Sequence, residues 1–81
     1  MIYQYEVNSY NNEDSCITLK TNNIHFALNR LMEVKACGVP CEIIDSTTGE
    51  VLAHFNIEGT EDYTTPLWAY VIYGWSVIHN E

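Results

Sequence analysis

The stretch from Asn23 to Pro40 limits the fold more than any other. Ile24, Ala27, Leu28, Leu31 and Val34 recur at helical spacing and form one apolar stripe, with His25, Asn29, Arg30 and Glu33 off it. Thr21, Asn22 and Asn23 offer N-caps before the stripe. Gly38 is placed as the C-terminal cap, and Pro40 prevents continuation. The spacing predicts a helix over 23–36. Such a stripe needs a surface to cover, and the flanking sequence supplies one in segments that alternate with a period of two.

Ahead of the helix, Ile2 to Asn8 puts Tyr3, Tyr5 and Val7 on one face and Gln4, Glu6 and Asn8 on the other. Residues 9–14 read as a polar turn. Cys16 to Lys20 is a second strand with Ile17 and Leu19 inward, so the two make a hairpin. Beyond the helix, Pro40 to Asp45 reads as a third strand. Ser46-Thr47-Thr48-Gly49 is a turn in which Gly49 supplies a positive φ. Glu50 to Ile57 is a fourth strand with Val51, Ala53, Phe55 and Ile57 on a shared face. Glu58 to Asp62 is an acidic loop.

The C-terminal segment carries two signals. Thr65-Pro66 is an N-cap followed by proline at the first helical position, with Glu61 and Asp62 just upstream where a helix dipole favours them. The β-branched and aromatic run from Leu67 to Tyr73 favours a strand instead. The capping pattern makes a helix over 66–78 the preferred reading, with a fifth strand as the alternative. In that helix Leu67, Val71 and Ile78 are expected against the sheet, with Trp68, Ile72 and Trp75 pointing elsewhere. A surface helix apolar on two sides suggests a partner or a second copy. The expected architecture is α+β: an antiparallel sheet of two hairpins flanking one helix (ββαββ) plus a C-terminal helix, as a single domain over 1–81.

Charge narrows the function. The 81 residues hold 11 Asp and Glu against 3 Lys and Arg, a net charge of −8. Residues 1–35 carry four acids and three bases. Residues 36–81 carry seven acids (Glu42, Asp45, Glu50, Glu58, Glu61, Asp62, Glu81) and no base. Three cations neutralise too few phosphates for direct nucleic-acid binding. A single-signed half-chain repels anionic lipid and steers a positive partner; its blander role is solubility. The uncharged stretch from Thr64 to Asn80 is broken by Thr, Ser, Gly and His and makes a poor membrane span. Cys16, Cys37 and Cys41 are an odd set without a secretory pattern before them, which points to a reduced, cytoplasmic protein.

No chemistry assembles from motifs. Cys37-x-x-x-Cys41 with Cys16, His25 and His54 lacks the paired spacing of structural zinc, so no metal is expected. Cys37 lies near a helix C-terminus, whose dipole disfavours a thiolate nucleophile. The four glycines are isolated and form no phosphate loop, and no catalytic residue or cofactor is expected. Binding remains. Glu42, Asp45, Glu50, Glu58, Glu61 and Asp62 would act as phosphate surrogates, pairing with Arg or Lys. Trp68, Tyr70 and Trp75 would supply an apolar anchor or a dimer seam.

The stretch from Gly38 to Leu52, in which a helix ends at Gly and a strand ending in Asp45 leads through Thr48-Gly49-Glu50 into the next strand, resembles a pattern in small phage and mobile-element proteins. The resemblance covers roughly residues 22–57. In size and charge the chain is similar to anti-CRISPR and anti-restriction inhibitors. That resemblance implies an inhibitor acting in the bacterial host cell. It would bind the basic surface of a protein or ribonucleoprotein effector and block its nucleic-acid groove as a DNA mimic. The alternative is a homodimeric interaction or regulatory module with no defence role.

Overall fold

In a computed structural model that describes residues 3–11 and 15–79, with side chains omitted at 11, 15 and 75–79, the chain folds as α+β. The strands are β1 (Tyr5–Asn11), β2 (Ser15–Thr21), β3 (Cys41–Asp45), β4 (Glu50–Phe55) and β5 (Tyr63–Thr64). The helices are α1 (Ile24–Ala36) and α2 (Pro66–His79). All five strands form one antiparallel sheet in the order β2-β1-β3-β4-β5. The two hairpins therefore join through β1 and β3, with α1 as the connection between them.

Three adjacent polar residues enter α1 with separate tasks. Asn23 is the N-cap, and its Oδ1 accepts from the backbone N–H of His25 (2.9 Å) and Phe26 (3.2 Å). Thr21 Oγ1 accepts from Asn23 N, and Asn22 Oδ1 accepts from Gln4 N at 2.7 Å, tying the helix start to β1. At the other end Gly38 takes φ 76°, Gly38 N donates to Lys35 O, and Val39 N donates to Val34 O. That is the paired-bond cap for which glycine is favoured, because a side chain there meets the left-handed penalty. Ala27, Leu28 and Leu31 are buried, with Ile24 and Val34 packed at the margin, as the stripe predicts.

Cross-strand partners share a face, so the register sorts the side chains. Val7 pairs with Ile43, and Ile43 with Ala53; Cys41 pairs with Phe55. All are buried in a single cluster with α1 and with Trp68 and Ile72 of α2. Both helices thus lie on one side of the sheet, α1 over β1, β2 and β3 and α2 over β4 and β5. Among the described residues no helix covers the opposite side, the bare side of the sheet.

Several expectations are corrected. The first strand begins at Tyr5, with Tyr3 and Gln4 ahead of it and Ile2 outside the described residues, and it runs on through Ser9 and Tyr10, which the polar composition assigned to a turn. Partners outweigh that local preference: Ser9 Oγ donates to Ile17 O and Tyr10 N donates to Pro40 O. The remainder of that turn, residues 12–14, lies outside the described residues. Ile17 shares Leu19's face but lies opposite Ser9 toward the hairpin end of an edge strand, and it is exposed. Tyr3 is also exposed, ahead of the strand. In β4 a bulge opposite Ile43 and Ile44 inserts Leu52. Val51 consequently faces the bare side with Ile44, while Leu52 joins Ala53 and Phe55 in the core.

The expected face of α2 holds for Val71, which packs against the core, but not for Leu67, Trp68 and Ile72; the side chains of Trp75 and Ile78 lie outside the described set. Trp68 is 3% exposed and Ile72 is buried, whereas Leu67 is 69% exposed. The cap sets the helix phase: Trp68 N donates to Thr65 Oγ1, Ala69 N donates to Thr65 O, and Thr65 N donates to Leu52 O at 2.9 Å. Anchored at the β4 bulge, the first turn directs Trp68 inward, edge-on to Tyr5 with centroids 6.0 Å apart. The two-residue strand β5, between the acidic loop and the helix start, has no counterpart among the expected strands; its pairing with β4 puts Thr65 in position.

Leu31→Ala should cost about 2–5 kcal/mol of stability by urea unfolding, because it opens a cavity at the helix–sheet seam. Asn23→Ala should cost about 1 kcal/mol, the usual loss for an N-cap.

Candidate partner-binding surface

The bare side of the sheet carries a row of side chains that spans all five strands. Thr18 pairs with Asn8, Asn8 with Glu42, Glu42 with His54, and His54 with Tyr63. Around this rank hydrogen bonds form a network. Asn8 Nδ2 donates to Glu42 Oε2 at 3.0 Å and to Glu6 Oε2 at 3.2 Å. Thr18 Oγ1 donates to Asn8 Oδ1 at 2.7 Å, and Tyr10 OH donates to Glu42 Oε2 at 2.6 Å. Asn8, expected on a solvated face, is only 6% exposed because its neighbours enclose it. Burial, and then the bond to Glu42, hold the Tyr10 phenol well above its ordinary range.

Two carboxylates therefore meet on one neutral amide. Their Oε1 atoms accept no hydrogen bond from any described residue. The cations lie elsewhere or stand apart. Arg30 pairs with Glu33 at 3.8 Å, and Lys35 Nζ sits over the Phe55 ring at 5.1 Å. Lys20 faces Glu6 across β1 and β2 but forms no ion pair with it. His54 lies tilted against Tyr63, centroids 5.7 Å apart. Its Nδ1 is shut off from solvent and unpartnered, the one such side-chain atom among the described residues.

The acids singled out by sequence do not converge. Glu42 lies within the bare face. Asp45 and Glu50 sit at the turn end of the β3–β4 hairpin, and Glu58, Glu61 and Asp62 at its other end. Two of them have work inside the chain. Asp45 Oδ1 accepts from Thr47 N at 2.9 Å and from Thr47 Oγ1, and these bonds hold its carboxyl below the usual range. The turn closes with Gly49 N donating to Asp45 O, with Gly49 at φ 79°. Asp62 Oδ1 accepts from Asn56 N at 2.8 Å, which supports Asn56 at φ 60°. Glu50, Glu58 and Glu61 are exposed and accept no hydrogen bond from a described side chain.

Of the aromatic anchors, Trp68 belongs to the core and is no surface anchor. Tyr70 stands out at 79% exposed, alongside Leu67 and Tyr73 on the outer side of α2. The side chain of Trp75 lies outside the described set. Burial pushes the Cys41 thiol up to about 11, while Cys16 and Cys37 are exposed. Among the described residues no three His, Cys, Asp or Glu side chains are grouped to hold a metal ion, and no helix is long and apolar enough to cross a membrane.

Sequence reading missed Glu6, Asn8, Tyr10, Thr18, His54 and Tyr63 as one assembly. Their polar phase along each strand is visible, but the pairing of β1 with β3 that brings Asn8 to Glu42 is not. No protein-family model, no curated protein and no solved structure matches this chain. Its function has to be read from these surfaces.

The Asp45 turn gives a pH signature. A carboxyl whose folded value is depressed adds stability above its unfolded value, near pH 4 by the ordinary scale, and loses it as pH falls through the folded value. The stability gap between the native chain and Asp45→Ala should be full at pH 7 and narrow on acidification below about pH 4, as followed by thermal unfolding.

Proposed function

We propose that the chain is a small acidic binding protein that occupies a cationic, nucleic-acid-binding groove of a bacterial defence effector. One observation carries the reading: residues 36–81 hold seven acids and no base, and their exposed carboxylates have no ion-pair partner among the described residues. In an isolated domain such charge repels itself. Against an Arg- or Lys-lined groove it forms charge-assisted hydrogen bonds in place of phosphates. The resemblance to anti-CRISPR and anti-restriction inhibitors supplies the class of effector. The long-range field makes capture fast at low salt and slow at high salt.

The test is capture from bacterial lysate containing expressed CRISPR and restriction effectors, at low and high salt. Salt-sensitive recovery of one effector, competed by its own DNA or RNA, supports the reading. Changing Glu58 and Glu61 to Gln and Asp62 to Asn should weaken capture and flatten its salt dependence. Asn at 62 retains an oxygen for Asn56 N, so the loop geometry is preserved. Unaltered capture by this triple variant would sink the mimicry.

A second reading rests on α2. Leu67, Tyr70 and Tyr73 recur at helical spacing and are all exposed, an outward apolar stripe that suits a protein interface. In a homodimeric module without a defence role, Leu67→Ser with Tyr70→Ser would abolish self-association in sedimentation experiments and leave the fold intact. Trp68→Ala is the wrong probe, since removing a buried Trp costs about 3–5 kcal/mol of stability.

A further inference from the structure

We infer that the free edge of β2 pairs with β2 of a second copy, antiparallel and centred on Thr18, so that two sheets join into one. The two edges of the sheet differ. At one, β5 has two residues and β4 behind it carries a bulge. At the other, β2 runs seven residues in unbroken register with β1 and contains no proline. Short strands, bulges, prolines and lysines guard an edge against pairing, and on β2 the single Lys20 is the only such guard. The register shows which backbone groups are free. Tyr10 N donates to Pro40 O, and Gln4 O accepts from Ser46 N, so the even residues of β1 bond toward β3. The odd ones bond toward β2, in pairs such as Val7–Leu19 and Ser9–Ile17. The N–H and C=O groups of Cys16, Thr18 and Lys20 therefore point outward, and none has a hydrogen-bond partner among the described residues.

Symmetry and charge select a second copy as the occupant. Thr18 is the midpoint of Ser15–Thr21 and is itself an outward residue. A two-fold axis at Thr18 aligns the whole strand with its copy: Thr18 opposite Thr18, Cys16 opposite Lys20, and Ile17 opposite Leu19. Each outward N–H then donates across the seam and each outward C=O accepts. On the helix-bearing side Ile17, 52% exposed, is covered by the second copy's Leu19, which packs at the margin of the core. The apolar layer thus continues from one copy into the other. The charge distribution suits this seam. Lys20 is the one charged residue of β2, and residues 1–35 carry four acids against three bases. From Glu42 to Asp62 the acids belong to β3, β4, β5 and their connections, away from the β2 edge. Glu42 would face its copy across five strand spacings, about 24 Å. Screening at physiological salt acts over about 8 Å, so the acidic halves do not oppose the pairing.

The test follows the full chain by sedimentation from about 10 μM to about 1 mM, the range suited to a narrow seam. A dimer is expected to build up over that range. In amide exchange read by NMR, Cys16, Thr18 and Lys20 should slow about tenfold as the dimer comes to dominate. Leu19, bonded within the sheet, should stay protected at every concentration. Thr18→Pro removes an N–H that β1 does not use, a placement an edge strand tolerates, and should leave the chain monomeric. Ile17→Lys puts a charge into the seam at an already exposed site and should weaken the dimer about tenfold or more. A chain monomeric throughout the range would overturn the inference. So would a dimer in which those three amides exchange at an unchanged rate and which Leu67→Ser with Tyr70→Ser disperses. Neither result touches the acidic-binder reading, whose carboxylates lie off this edge. The wild-type exchange map decides the location even where Thr18→Pro folds poorly.

Discussion

The antiparallel pairing of β1 with β3 is the contact on which the other features depend. It joins two hairpins that are distant in sequence, and it sets Val7 against Ile43 beneath the apolar stripe of α1. Because side chains alternate along a strand, a slip of one residue would turn Val7 outward and Asn8 into the core. The cost of burying an amide and a carboxylate under Leu28 and Leu31 is what holds this register. One hydrophobic decision therefore orders both sides of the sheet.

The polar network is the reverse side of that decision. With Val7 against Ile43, Asn8 falls against Glu42, and Glu42 against His54. The hydrogen bonds from Asn8 and Tyr10 then follow from side-chain reach. The two ends of the β3–β4 hairpin are under different constraints. Asp45 and Asp62 spend hydrogen-bonding capacity on their own turns, which leaves Glu50, Glu58 and Glu61 as outward charge. Acidic residues adjacent in sequence thus divide into structural and free ones, a distinction that net charge alone conceals.

Legibility in the sequence varied with the range of the interactions involved. The helix over 23–36 was plain because its stripe, N-cap and glycine cap are all local, and α1 forms over Ile24–Ala36. Gly49 was plain for the same reason, since a positive φ in a tight turn asks for glycine. Thr65-Pro66 correctly marked the start of α2. Which face of α2 turns inward was not local. Trp68 and Leu67 are both large and apolar, and the choice between them came from Thr65 bonding to Leu52 at the β4 bulge. Val51 was misplaced by the same bulge, because strict alternation assumes one residue opposite one residue.

By itself the amino-acid sequence determined the α+β class, the order of the four long strands and two helices, the capped helix and the concentration of negative charge in residues 36–81. Each follows from spacing within a few turns or residues, where backbone sterics and periodicity act without reference to the rest of the chain. Only the tertiary structure decided that both helices cover one side of the sheet, that Trp68 is core while Tyr70 is surface, and that Glu6 and Glu42 share Asn8. Those outcomes depend on which strands pair and in what register. That choice is made by burying apolar area contributed by residues far apart along the chain.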